Sequence, residues 1–156
     1  MKIIATLLAA TLLLTACNVS INTDQQQAGK SEPGTEAQQK SVVSAAKAFL
    51  VQLDSGDIDG TWSKSSPYLQ QLSSHAVWST GISAFRSTVG GFKSRKLKGI
   101  GFTHEIDGVP SGDYAAVAFD STFANATVEE KVVLHQDKGT WKVLGYFMSK
   151  SLKGQL

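Results

Sequence analysis

The spacing of apolar residues divides this chain into a leader run, a polar tract, a helical half and a strand half. Residues 3–14 (IIATLLAATLLL) carry no charge and follow Met1 and Lys2. From Asn18 to about Gln39 (NVSINTDQQQAGKSEPGTEAQQ) large apolar residues are scarce. Such a tract buries too little surface to offset the entropy of ordering it, which predicts a flexible tether. Over Ala37 to Leu53, Val42, Val43, Ala46, Phe49, Leu50 and Leu53 recur at three- and four-residue spacing, with Lys40, Lys47 and Gln52 opposite. That is the pattern of an amphipathic helix. Gly56 suits its stop, Asp57 or Asp59 caps a short helix through Trp62 and Ser63, and Pro67 opens a third. Tyr68, Leu69 and Leu72 are expected to face inward there. Ser74 to Thr88 reads as a fourth helix presenting Val77, Trp78, Ile82 and Phe85, ended by Gly90 and Gly91.

Beyond the glycines the period becomes two. Arg95 to Ile106 reads as a strand with Ile100, Phe102, His104 and Ile106 on one face. Residues 107–113 (DGVPSGD) are turn formers, and Tyr114 to Phe123 is a second strand with Val117, Phe119 and Phe123 on one face. A third strand, about Thr127 to Gln136, meets a fourth, Trp141 to Ser149, through a hairpin at residues 137–139. Gly99 and Gly101 inside a strand mark a bulge or a close backbone approach. Helices followed by a meander predict an α+β fold, with N-terminal helices packed on a curved four-stranded antiparallel sheet.

The leader is about a dozen residues, against roughly 20 for a bilayer span. It ends in Leu14-Thr15-Ala16-Cys17, which holds the chain's only cysteine and resembles the lipobox of bacterial lipoproteins. The resemblance implies that residues 1–16 are a lipoprotein signal peptide and that Cys17 carries acyl chains. Each buried CH2 contributes about 0.8 kcal/mol, so two or three chains make a lasting membrane anchor. The organisation expected is signal peptide 1–16, lipidated cysteine and tether 17–39, and a single domain 40–150. Asn18 stands where aspartate is the familiar inner-membrane retention signal in many Gram-negative bacteria. The site expected is therefore the outer membrane, facing the periplasm.

Without the leader, 140 residues remain, with 14 basic and 13 acidic side chains. That balance gives no electrostatic reason for a nucleic-acid partner. A lone cysteine excludes an intrachain disulfide. No nucleophile elbow, phosphate loop, dinucleotide fingerprint or HExxH pair occurs, and His75, His104 and His135 lie far apart in the sequence. No cofactor, metal or catalytic residue is assigned, and a non-enzymatic protein is expected. Of the histidines, His104 alternates with apolar residues and points towards the core, whereas His135 is expected to face water. Lys93, Arg95, Lys96 and Lys98 read as a solvated edge strand.

Phe49-Leu50, Leu53-Asp54, Gly56-Asp57, Trp62, Trp78, Arg86, Gly90 and residues 94–97 (SRKL) stand in an order that is met again in a known family. So do Gly108, Pro110, Gly112, Tyr114, Val117, Phe119, Thr122-Phe123, Glu130 and residues 141–146 (WKVLGY). The sequence resembles the bacterial secreted-protein family known as a domain of unknown function, DUF4019. The element order is also similar to the cone of nuclear-transport-factor-2-like and cystatin-like folds. Neither resemblance supplies catalytic residues, because such folds host many functions.

Trp62, Trp78, Arg86, Arg95, His104, Tyr114, Glu130, Trp141 and Tyr146 are the candidate pocket residues. They either line one cavity between helices and sheet or fill the core, with an arginine–glutamate pair locking helix to sheet. The expectation is an envelope lipoprotein that binds a small ligand or an envelope protein. The alternatives are an accessory or assembly protein acting through protein contacts or homodimerisation, and a small cavity enzyme. Replacing Cys17 with Ala is expected to leave the precursor unprocessed and without acyl mass. Processing and membrane fractionation identical to the unmutated chain would contradict the lipid anchor.

Overall fold

The computed structural model describes residues 31–150, so the leader, Cys17 and the tether as far as residue 30 lie outside the described residues. The first helix, α1 (Glu36–Asp54), opens on a capping box. Thr35 Oγ1 accepts from the Gln38 N–H at 3.2 Å, and Gln38 Oε1 accepts from the Thr35 N–H at 2.8 Å. Just before it, Glu32 forms an antiparallel bridge with Phe102. The polar stretch 31–39, assigned to the tether by composition, is therefore built onto the domain through its backbone.

The next three helices are α2 (Ile58–Ser63), α3 (Pro67–Leu72) and α4 (His75–Val89), capped by Asp57, Ser66 and Ser74. Two inward expectations fail. Val77 is 66% exposed and Leu72 is 64% exposed, because α4 buries only the stripe of Trp78, Ile82 and Val89, and α3 only Leu69. The helix α3 is under two turns long, and on α4 Val77 stands beside the buried stripe and not on it. Among the described residues, no helix is long and apolar enough to cross a membrane.

The strands β1 (Phe92–Thr103), β2 (Tyr114–Phe123), β3 (Thr127–Asp137) and β4 (Thr140–Lys150) form one antiparallel sheet in the order β1-β2-β3-β4. This is the α+β arrangement that the change of period predicts. The strand β1 starts earlier than Arg95 and stops before His104. A register shift between Leu97 and Gly99 resets its phase. Without that bulge Arg95 and Ile100, an odd number of residues apart, would face opposite sides. The Thr103 hydroxyl then bonds both the N–H and the carbonyl of Glu105, which turns the chain out of the sheet. His104 and Ile106 consequently belong to the turn. The β3–β4 hairpin closes on Lys138 and Gly139, both at positive φ.

One face of the sheet meets the helices. Val42, Ala46, Phe49, Leu50 and Leu53 of α1 share a core with Val117 and Phe119 of β2 and Val132 and Leu134 of β3. A smaller cluster of Val89, Phe123 and Val128 closes the end where α4 hands over to β1. The period of two then fixes the other face. Ala116, Ala118 and Asp120 alternate with these core residues and look away from the helices.

Candidate functional site

The nine candidate residues do not line one cavity. Four of them, Arg86, Arg95, Glu130 and Tyr146, meet in a cluster completed by Asp54, which sequence reasoning did not nominate. The five come from α4, β1, β3, β4 and the last residue of α1. Glu130 is fully buried, and the Arg86 and Arg95 side chains are 14% and 9% exposed. Arg95 reaches across β2, where Ser121 Oγ accepts from its Nε at 3.0 Å, and sends Nε and Nη2 to Glu130 Oε2 at 2.7 and 2.6 Å. Its Nη1 meets Asp54 Oδ2 at 2.9 Å, while Arg86 Nη1 meets Asp54 Oδ1 at 2.6 Å. Tyr146 donates its hydroxyl proton to Glu130 Oε1, and Arg86 Nη2 lies 3.5 Å from the same oxygen.

Two carboxylates thus face two guanidinium groups, and each of the four carboxylate oxygens has a protein partner. Burial works against the charge on Arg95, but the hydrogen bonds and charges of Asp54 and Glu130 outweigh it and hold its pKa above the ordinary value. Burial, reinforced by the Glu130 charge, pushes the Tyr146 hydroxyl far up, so it stays protonated as a donor. Arg86 stacks 5.1 Å from the centre of the Phe123 ring and Arg95 4.4 Å from that of Phe92. The signal that could have exposed Asp54 is its place. An acid at a helix C-terminus opposes the macrodipole and needs a cationic partner from elsewhere.

The other candidates fall into two places, Trp62 with Trp78 and the surroundings of one small cavity. Trp78 donates Nε1–H to the buried Thr61 hydroxyl at 3.1 Å and packs between Trp62 and Phe49, which in turn meets the Tyr146 ring edge-on at 5.4 Å. Tyr114 is buried, donates to the Pro110 carbonyl and lies against His135. His104 is 71% exposed and pairs with Asp113 at 2.9 Å, which corrects its expected inward direction. Trp141 is half-buried, edge-on to Phe102, and shares with His104 and Tyr114 a small cavity of about 60 Å3.

His135, expected to face water, is sandwiched between Tyr68 and Tyr114, with Nδ1 3.1 Å from the Ser66 hydroxyl. Burial holds its pKa below the ordinary histidine value. The Ser66 oxygen is itself fully buried and caps α3 by accepting from the Tyr68 N–H, so this pair ties a helix start to the sheet. Among the described residues, no group of three His, Cys, Asp or Glu side chains is placed to hold a metal ion.

The open face of the sheet carries a different feature. A groove of about 720 Å3 runs over it, on a floor made by one cross-strand row: Gly101, Ala116, Val133 and Gly145 are successive pairing partners. A methyl group on Gly101 would collide with the Ser31 hydroxyl, and one on Gly145 would press on the Phe147 ring. The walls are Ile106 and Val109 of the β1–β2 turn and, on the β4 side, Leu72 and Phe147. Phe147 is 55% exposed. Sequence reading missed this groove because its members come from six separate segments and none is chemically unusual.

Residues 45–146 match a family described as protein of unknown function, DUF4019. The chain belongs to the DUF4019 family. All five members of the charged cluster lie inside the matched stretch and are among the residues that carried the resemblance. No curated protein and no solved structure matches the chain. In this DUF4019 domain the cluster acts as a lock between helices and sheet. Changing Glu130 to Gln leaves two guanidinium groups against the single carboxylate of Asp54, one buried positive charge in excess, and is expected to cost about 3–5 kcal/mol. Denaturant unfolding measures it, and a loss under about 1 kcal/mol would contradict the lock.

Proposed function

We propose that this protein is a non-enzymatic binding module of the bacterial cell envelope. A lipid on Cys17 holds it to the outer membrane, facing the periplasm, and the open face of its sheet receives an apolar surface of an envelope protein. The observation that carries this reading is the groove with its floor of small side chains and its exposed Phe147 and Leu72. Large apolar groups standing together around a concave floor are the usual mark of an interaction surface.

The inner side of the sheet supports no comparable role. Its two carboxylates and two guanidinium groups are matched with one another, which leaves no carboxylate poised for proton transfer, and the donor without a partner among the described residues, Arg86 Nε, is buried. The cavity beside Trp141, about 60 Å3, has room for little more than water. An enzyme needs a group with a shifted pKa that a substrate reaches. The buried groups whose pKa moves, Arg95, Tyr146, Tyr114 and His135, are committed to neighbours inside the fold.

A photocrosslinking residue placed at Val133 in the groove, in cells of the natural host, tests the reading against the same residue placed at the exposed Val77 on α4. A discrete protein adduct is expected from position 133 and none from position 77. Absence of any protein adduct from the groove would contradict a protein-binding face.

A further inference from the structure

Resting on the reading that the open face is the working surface, we propose that His135 is an acid-sensitive latch on that surface: a second proton on its ring loosens the start of α3 and, with it, the Leu72 wall of the groove. The ring stands between the two walls. On one side is α3, whose Tyr68 ring centre is 4.7 Å away and whose last residue, Leu72, lines the groove. On the other is Tyr114, 5.2 Å away, which donates its hydroxyl proton to the Pro110 carbonyl in the β1–β2 turn. That turn supplies Ile106 and Val109 to the other wall, and a methyl group added to its Gly112 would touch His135 Nε2 at 3.7 Å. The helix α3 has six residues and one buried side chain, Leu69, so the few ties at its start decide whether it stays on the sheet.

The Ser66 hydroxyl fixes the proton on the neutral ring. Ser66 is fully buried and its oxygen accepts from the Tyr68 N–H at 3.3 Å. Among the described residues, the acceptor in reach of its own proton is His135 Nδ1, at 3.1 Å. Neutral His135 therefore accepts at Nδ1 and carries its hydrogen on Nε2. A second proton turns Nδ1 into a donor, which leaves the Ser66 hydroxyl proton buried without an acceptor. The charges that face the ring pull both ways. Asp137 on its own strand and Asp113 at the end of the turn favour the imidazolium, and Lys142, its partner on β4, opposes it. Two of these are engaged with each other, Lys142 with Asp137 at 2.7 Å, and Asp113 pairs with His104 at 2.9 Å. Tyr68 on α3 and Tyr114 on β2 present ring faces. Burial is the largest influence and disfavours the charged ring.

The sign follows from linkage. With α3 open, His135 is an ordinary histidine, with a pKa of about 6.5, and binds the proton more readily than in the closed state. Lowering the pH therefore favours opening from about pH 6.5 downwards, and the effect levels off below the pKa of the closed state. A ring that stays neutral until released sets the upper limit, an open state about tenfold more populated at pH 5.5 than at pH 7.5.

The test is amide hydrogen exchange of the full-length chain at those two pH values, corrected for the intrinsic pH dependence of exchange. The Gln70 and Ser73 N–H groups bond to the Ser66 and Leu69 carbonyls, so their protection reports α3. It is expected to fall several-fold at the lower pH, up to about tenfold. His135→Asn keeps an acceptor near the place of Nδ1 and does not titrate, so it is expected to abolish the fall. His75→Gln and His104→Gln are expected to keep it. Imidazole titration by NMR in the unmutated chain is the second measurement, with His135 expected below about 6.5 and raised by Ser66→Ala. Equal protection at both pH values, or a fall that survives His135→Asn, would overturn the latch. So would a ring that titrates at or above the ordinary value because the tyrosine faces stabilise the imidazolium. A photocrosslinker at Val133, in host envelopes buffered at the same two values, separates the latch from the binding face. Capture that drops several-fold in acid supports both, and unchanged capture while α3 opens overturns control of the groove by the latch. No capture at either pH, with α3 opening as expected, overturns the binding face and supports the latch.

Discussion

The fully buried carboxylate of Glu130 sets the terms for the rest of the structure. A charge in that position is tolerable only with a matched counter-charge and hydrogen bonds to its remaining lone pairs. Arg95 supplies the first, but it must cross β2 to arrive, so Ser121 beneath it is small and polar. Arg95 carries more donors than Glu130 accepts, and Asp54 at the end of α1 takes the surplus. Arg86 and Tyr146 complete the set from α4 and β4. Buried ion pairs add little net stability, and their better-attested effect is to fix one register among alternatives. Here they fix the end of α1 against the sheet. A shifted helix or a slipped strand would leave at least one charge buried and alone.

That arrangement underlies the place proposed for function. The helix-covered side of the sheet is filled by matched charges and by the aromatic series Trp62, Trp78, Phe49 and Tyr146. The uncovered side has the opposite character, with small residues along one cross-strand row and large apolar residues exposed around it. Ser31, where the described chain begins, is part of the groove rim, so the expected tether departs beside the proposed binding surface.

The α+β order was legible because each half of the chain keeps one period, and β2 was readable to the residue from Tyr114 to Phe123. Errors came where tertiary contacts override local pattern. Val77 and Leu72 have the right spacing but belong to helices whose contact stripe is narrow. His135 has the strand phase of an outward residue, yet the start of α3 folds over it and brings Tyr68 and Ser66 against the ring. The phase of β1 depends on a bulge that Gly99 hints at but does not locate. In the candidate site, Arg86, Arg95, Glu130 and Tyr146 were found by residue type. Asp54 was lost because a charged residue at a helix end ordinarily faces water, and the groove was lost because glycine and alanine carry no chemical signal.

The measurement that bears most directly on the account is native mass spectrometry of the protein released gently from its own host's envelope. A closed interior, together with the proposed lipid on Cys17, predicts the mass of the acylated protein and no further small molecule, whether the chain flies singly or with protein partners. A small molecule held at fixed stoichiometry, and lost when Arg95 or Glu130 is changed, would contradict it. That result would show that the charged cluster opens to serve as a ligand site.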